Sequence, residues 1–233
     1  MNDLLEGVRQ ALQLLFGGDA ETWQIIALSL RVSGLALLFS TLLGVPLGAL
    51  LGLRSFPGQR LVTTLVYTGM GLPPVVVGLL VYLLLSRAGP LGFLAWLFTP
   101  PAMVLAQTII SLPLIAGFTM AAVQAVDPML RLQIQSLGAT LRQATRTILW
   151  EARAGVIVAV VAGFGSIISE VGAVMLVGGN IAGETRVLTT AIVLQTRMGA
   201  FDLALALSFV LLAITFVLNG LVLLLQGGVR TRR

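Results

Sequence analysis

Long apolar runs separated by short polar stretches set the pattern of this chain. A helix that crosses a bilayer needs roughly 20 mostly apolar residues. Five segments meet that length: about Trp23–Leu53, Leu61–Leu85, Pro101–Val126, Ala154–Val177 and Leu203–Leu225. The apolar run near Leu12–Phe16 is too short to span. So is the helix-like RVLTTAIVLQTR at Arg186–Arg197, which is expected to form a lid or re-entrant element. Near the N-terminus, Leu4, Leu5, Val8, Leu12 and Leu15 recur at helical spacing. They predict a short amphipathic surface helix within residues 1–22. Asp3 and Glu6 stand where a cleavable signal peptide would be positive, so none is expected. The pattern predicts an all-α, polytopic membrane protein with a membrane domain over 23–225 and a short tail over 226–233.

One polar segment stands out between the third and fourth spans, within a loop at 127–153. It reads RLQIQSLGATLRQATRTILWEAR, Arg131 to Arg153. Leu130, Ile134, Leu137, Leu141, Ala144 and Ile148 step by four and three and form one apolar stripe. Arg131, Gln135, Arg142 and Arg146 cluster on an adjoining face. Gly138 interrupts the pattern, which predicts two short helices meeting there. Periodicity allows two readings. The segment rests on anionic lipid as an amphipathic helix, or it docks its stripe in the groove of a partner.

Composition agrees with a membrane protein. Hydrophobic residues make up 58% and the mean hydropathy is +1.03, against about 45–50% apolar residues in soluble domains. There is no cysteine and no histidine. Disulfides and thiolate metal sites are therefore excluded, and the usual general base and commonest metal ligand are missing. No metal site is expected. All 14 basic residues are arginine. The pI of about 11.2 is read as the inside-positive bias of membrane proteins rather than as nucleic-acid binding. With the N-terminus outside, Arg54, Arg60, Arg131, Arg142, Arg146, Arg153, Arg230, Arg232 and Arg233 lie in the cytosol. Only Arg9, Arg87, Arg186 and Arg197 lie outside, and Arg31 lies within a span. Nine against four predicts an extracytoplasmic N-terminus and a cytosolic C-terminus.

Inside the spans, Pro46, the pair Pro73-Pro74 and Pro113 are expected to bend their helices. Such bends line pathways in transporters, though proline is also commoner in membrane helices generally. Glu170 is the acid inside a span and Arg31 the base. Each costs at least about 2.5–3.5 kcal/mol on insertion scales and should face protein or water. Their depths match, so an Arg31–Glu170 ion pair is expected. Gln107 and Asn219 are expected to make interhelical hydrogen bonds. GGNIAG lacks the preceding strand and the following Lys-Ser/Thr of a phosphate loop and reads as a surface turn.

SLGATLRQATRTI resembles the cytoplasmic loop of ATP-binding-cassette (ABC) importer permeases, in which a glycine is followed ten residues later by an isoleucine; Gly138 and Ile148 match. The family's Glu-Ala-Ala triplet falls on Leu132, Gln133 and Ile134, and its Leu-Pro end on Trp150 and Glu151, so those parts depart from the pattern. LPPVVVGLLVYLLLSRAGPLG and SEVGAVMLVGGNIAGETRVLTTAI resemble the molybdate and tungstate branch, the second being closest to the tungstate type. The likeness covers about Trp23 to Leu225. It implies a type I, MetI-like permease fold in the cell membrane. It also implies a homodimer, two copies of an ATPase that binds ATP and Mg, and an extracytoplasmic oxyanion-binding protein. This chain would hold no cofactor and would not itself be an enzyme. The resemblance makes Ile134, Leu137, Gly138, Ala139, Leu141, Arg142 and Ile148 ATPase-coupling residues. It makes Glu170, Val171, Gly172 and Ala173, with Pro73 and Pro74, gate or pore residues. There, small Gly172 and Ala173 would permit close approach across a dimer axis. Tungstate is the expected substrate, with molybdate or sulfate as alternatives. A self-sufficient secondary transporter or channel would predict internal repeats and more in-membrane ionisable groups. An intramembrane enzyme would lack chemistry to use.

Overall fold

The computed structural model describes residues 19–230 together with Arg9, Gln13 and Gly17. The amphipathic helix expected within residues 1–22 falls almost wholly outside them, as does the end of the 226–233 tail. The elements among the described residues are helical. In chain order they are α1 (Ala20–Leu53), α2 (Gln59–Met70), α3 (Pro74–Leu85), a 3-10 turn (Gly92–Leu94), α4 (Pro100–Gln124), α5 (Pro128–Ser136), α6 (Leu141–Glu151), α7 (Arg153–Ile168), α8 (Gly172–Gly178), α9 (Leu188–Arg197) and α10 (Phe201–Arg230).

α1 begins where Asp19, in extended backbone, accepts the Thr22 amide at 2.9 Å. That satisfies one of the amides a helix start leaves unpaired. The helix then runs 34 residues, about 51 Å at 1.5 Å per residue. It therefore exceeds the roughly 30 Å of a bilayer's hydrocarbon core. α1, α4 and α10 are each long and apolar enough to cross a membrane, and there are up to 5 crossings if each bent pair of helices counts as one.

Two of the expected spans are not continuous. Leu61–Leu85 is two helices of 12 residues each, α2 and α3, meeting at 105°. Pro73 and Pro74 explain the break: the residue before a proline is driven out of helical backbone, and Pro74 then opens the new helix, where its missing amide costs nothing. Pro46 and Pro113, by contrast, sit inside α1 and α4, which continue through them. Ala154–Val177 is likewise interrupted, between α7 and the seven-residue α8. There Ser169 and Glu170 offer side-chain hydrogen bonds that compete with the helical ladder. α6 and α7 form a second bent pair, at 65°.

α4 is the centre of the molecule: α1, α2, α3, α7 and α8 all pack on it. Along α1, Gly44, Gly48 and Gly52 recur every fourth residue and face Ile115, Ala116 and Val123 of α4. A Cβ at Gly48 would collide with the Ala116 carbonyl, so this seam closes only because the residues are small. At one end of the bundle, Val32, Val77, Val81, Leu85, Met103 and Val177 form a core. At the other, Val123, Val126, Ile134, Ile148 and Ala152 form another, with Leu53 packed against it.

These cores mark two ends of one body. The first end holds the start of α1, the α3–α4 connection and the α8–α9 loop. Phe98 donates its amide to Val177 O at 2.9 Å, and Arg186 meets Glu21 at 3.4 Å. The second end holds the end of α1, the start of α2 and the whole of α5 and α6. There Gln59 Nε2 donates to Leu51 O at 2.8 Å.

Candidate functional site

The α7–α8 break places a buried carboxylate inside the bundle. α7 stops at Ile168, and Glu170, 9% exposed, follows. Glu170 N donates to Ile167 O at 3.2 Å, and Glu170 Oε1 accepts the Ala173 amide at 2.9 Å. The carboxylate thus caps the start of α8. The Glu170 carbonyl accepts from Thr189 Oγ1 at 3.0 Å, and Ser29 Oγ accepts the Leu188 amide at 2.8 Å. These bonds set the first turn of α9 at the level of the break and against α1. Gln107 Nε2 donates to Ile167 O at 3.2 Å, the interhelical bond expected of it; its Oε1 is buried without a partner. Asn219 makes no hydrogen bond among the described residues.

The expected Arg31–Glu170 ion pair does not form. The ion pair among the described residues joins Arg186 to Glu21. Arg31 lies on an exposed face of α1, whereas Glu170 turns inward to a backbone amide. Equal depth did not bring them together because they face different directions.

Gly172 and Ala173 make a close approach within the chain. A Cβ on Gly78 of α3 would stand 2.6 Å from Ala173 Cα, and one on Gly172 would stand 2.7 Å from Val75 Cγ2. Ala173 is fully buried. Pro73 and Pro74 begin the helix that packs there. The structure therefore gathers Pro73, Pro74, Gly172 and Ala173 around the α3–α8 contact, beside Glu170 and Val171. The sequence offered little sign of Ser29 and Thr189, the hydroxyls that tie α9 to the break. Both are ordinary residues in apolar surroundings, and only the fold makes them neighbours.

The second candidate region is the polar loop. Gly138 sits in left-handed backbone at φ +72, where a side chain would be strained. It separates α5 from α6, as expected. Thr140 and Gln143 form a reciprocal capping box at the start of α6. The expected single apolar stripe divides in two. Ile134 and Ile148, 8% and 5% exposed, are buried against the bundle, with Leu130, Ala139 and Ala144 packed alongside. Leu137 and Leu141, 84% and 75% exposed, point away. A bend between two helices turns one stripe into an anchoring half and a free half. Arg142 and Arg146 are exposed and, with Arg54 and Trp150, line an open groove beside α6 of about 960 Å³. The side chains of Arg131 and Gln135 lie outside the described residues. Among the described residues no three His, Cys, Asp or Glu side chains come together as metal ligands.

Residues 44–231 match the family described as binding-protein-dependent transport system inner membrane component. A probable anion ABC transporter permease protein of Haloferax volcanii is 45% identical over 202 residues, covering 84% of this chain and 87% of that relative. The tungstate uptake system permease protein TupB of Peptoclostridium acidaminophilum is 41% identical over 226 residues, covering 97% and 99%. The fold is shared with a chain of a bacterial alginate ABC transporter crystallised in complex with an alginate pentasaccharide-bound periplasmic protein. That chain aligns at a TM-score of 0.75 and 24% identity over 97% of this chain and 88% of its own length.

Proposed function

The chain belongs to the family of binding-protein-dependent transport system inner membrane components, a multi-pass membrane transport subunit. On that premise we propose that it is the permease of an ATP-driven importer for a tetrahedral oxyanion, with tungstate as the substrate. The observation that carries this reading is the end-to-end likeness, at 41% identity, to a tungstate uptake permease.

In this reading two copies form the translocation path, and an extracytoplasmic binding protein selects and delivers the anion. Two copies of a separate ATPase bind ATP and Mg and grip the 131–150 loop. Free Leu137 and Leu141, held out by buried Ile134 and Ile148, suit such a grip: exposed apolar side chains on a rigidly anchored bend mark a docking surface. The Glu170 break supports a gate. A helix interrupted at mid-bundle, with Val171, Gly172 and Ala173 against the Pro73-Pro74 bend, can shift at the break without unravelling whole helices. Glu170 acts there as a structural contact, because a carboxylate repels an oxyanion.

The test is uptake in a reconstituted system holding this chain, its ATPase and its binding protein. Tungstate uptake should require ATP and resist excess sulfate, and Leu137→Asp with Leu141→Asp should abolish both ATPase association and uptake. Uptake that survives the double substitution overturns the coupling assignment. Preference for molybdate or sulfate overturns the substrate.

A further inference from the structure

Arg31 is a cation set into an apolar helix with no ion pair or hydrogen bond among the described residues. A charge inside a span is costly and ordinarily has a partner. The surroundings of this one are amphipathic. Below it, Leu35, Phe39 and Leu43 continue its face of α1 at four-residue steps. With Trp96 and with Val104 of α4 they line an open apolar groove of about 490 Å³. Above it, Arg31 also lines a polar pocket of about 250 Å³ that includes Glu21, Gln24 and Arg186. Two guanidiniums and one carboxylate leave one positive charge there. Since Glu21 is taken by Arg186 at 3.4 Å, that charge is Arg31's.

The dimensions suit one leaflet. From Arg31 to Leu43 is about 18 Å along α1, close to half of the roughly 30 Å hydrocarbon core. Because α1 is some 20 Å longer than that core, Arg31 falls within snorkelling distance of the headgroup level. Trp96 stands beside the upper part of the groove, as aromatic anchors do at such interfaces.

We propose that this groove holds an anionic phospholipid, its phosphate on Arg31 and an acyl chain along Leu35, Phe39 and Leu43. A free oxyanion would satisfy Arg31 but leave the apolar groove unexplained. A second copy packed groove to groove would cover the apolar lining but bury Arg31 opposite a second Arg31, with no acid in either lining.

Tryptophan quenching tests this. Trp23→Phe with Trp150→Phe leaves Trp96 as the reporter in the full chain. The protein is placed in phosphatidylcholine bilayers containing a few mole per cent of brominated phosphatidylglycerol or brominated phosphatidylcholine. Phosphatidylglycerol should be preferred about fivefold, the factor that a single cation near a bilayer surface contributes. Arg31→Gln should erase the preference and Arg31→Lys should keep it. Val104→Phe, which fills the groove and leaves the charge, should also erase it. Equal quenching by the two lipids overturns the proposal, as does a preference that survives either Arg31→Gln or Val104→Phe. Displacement of the brominated lipid by free tungstate makes Arg31 an oxyanion site instead. A Phe39→Cys variant that oxidises to a disulfide between copies makes the groove a protein interface. Either outcome also overturns the proposal.

Discussion

An ionisable side chain in an apolar bundle is tolerated when something specific meets it, and the two such residues here, Glu170 and Arg31, are met differently. Glu170 takes a backbone amide of α8, an acceptor at the positive end of a helix. Arg31 has no such contact and opens onto a groove. Glu170→Ala should therefore destabilise the purified protein by about 0.5–2 kcal/mol, the range for a lost cap, read as a lowered Tm in detergent. Combining Arg31→Glu with Glu170→Arg should restore nothing relative to Glu170→Arg alone; recovery in the double variant would mean the two charges do meet. Asp19 is an acid whose pH dependence has a definite sign. The Thr22 hydroxyl and then the Thr22 amide, both donating to its carboxylate, hold its pKa below the usual carboxylate range. A depressed pKa means the cap is complete above the ordinary range and is lost only as pH falls through the lower, folded value. Fluorescence of Trp23, next to Thr22, should stay flat through mildly acidic pH and change only under strong acid in a Trp96→Phe, Trp150→Phe background. Asp19→Ala should show the frayed signal at every pH.

Helix α6 and its partner α5 show what periodicity can and cannot reveal about an element. The three-and-four spacing identified both helices, and Gly138 marked their junction, because a left-handed residue has a sequence signature. Which half of the stripe would be buried had none. The division between Ile134/Ile148 and Leu137/Leu141 is set by how α5 and α6 lie against the end of α4 and the end of α1, a tertiary quantity. The same distinction explains the broken spans. Pro73-Pro74 announced a disruption, but a 105° turn and a continuous helix at Pro46 or Pro113 look alike in composition. The break at Glu170 was legible only as an anomaly of charge, and hydropathy carried straight through it. For the loop, the split makes a sharp contrast. Ile148→Ala empties a buried site and should cost about 2–5 kcal/mol, seen as a lower Tm of the isolated chain. Leu137→Asp, at a site 84% exposed, should change the stability by no more than about 0.5 kcal/mol, leaving that Tm near the parent's, while removing ATPase capture in a pull-down. Equal Tm losses at both positions would mean that Leu137 is an anchor as well.

At the scale of the whole molecule, the bundle separates its charges by end. Arg54, Arg60, Arg142, Arg146 and Arg153 belong to the end that carries α5 and α6, together with the start of α2 and the close of α1. Arg87 and Arg186 belong to the opposite end, where Arg186 is neutralised by Glu21. Arginine counts along a sequence assume that each loop falls on alternate sides. The structure provides the grouping directly, since hydrogen bonds and cores tie the loops of each end to one another. Moving a cluster of arginines across a bilayer is far costlier than moving the nearly neutral end, so the α5–α6 end should face the cytosol. The chain has no cysteine of its own, which makes the orientation open to measurement one site at a time. Gly183→Cys adds a side chain at an exposed position of the α8–α9 loop, where nothing lies within 4 Å to clash and the only cost is the strain of a left-handed backbone at φ +76. Leu137→Cys places one at the exposed tip of the opposite end. In intact cells a membrane-impermeant maleimide should label Gly183→Cys and spare Leu137→Cys, and opening the membrane should make Leu137→Cys reactive. The reverse order would turn the molecule over, move the exposed leucines to the outside and remove the surface on which an ATPase would have to act.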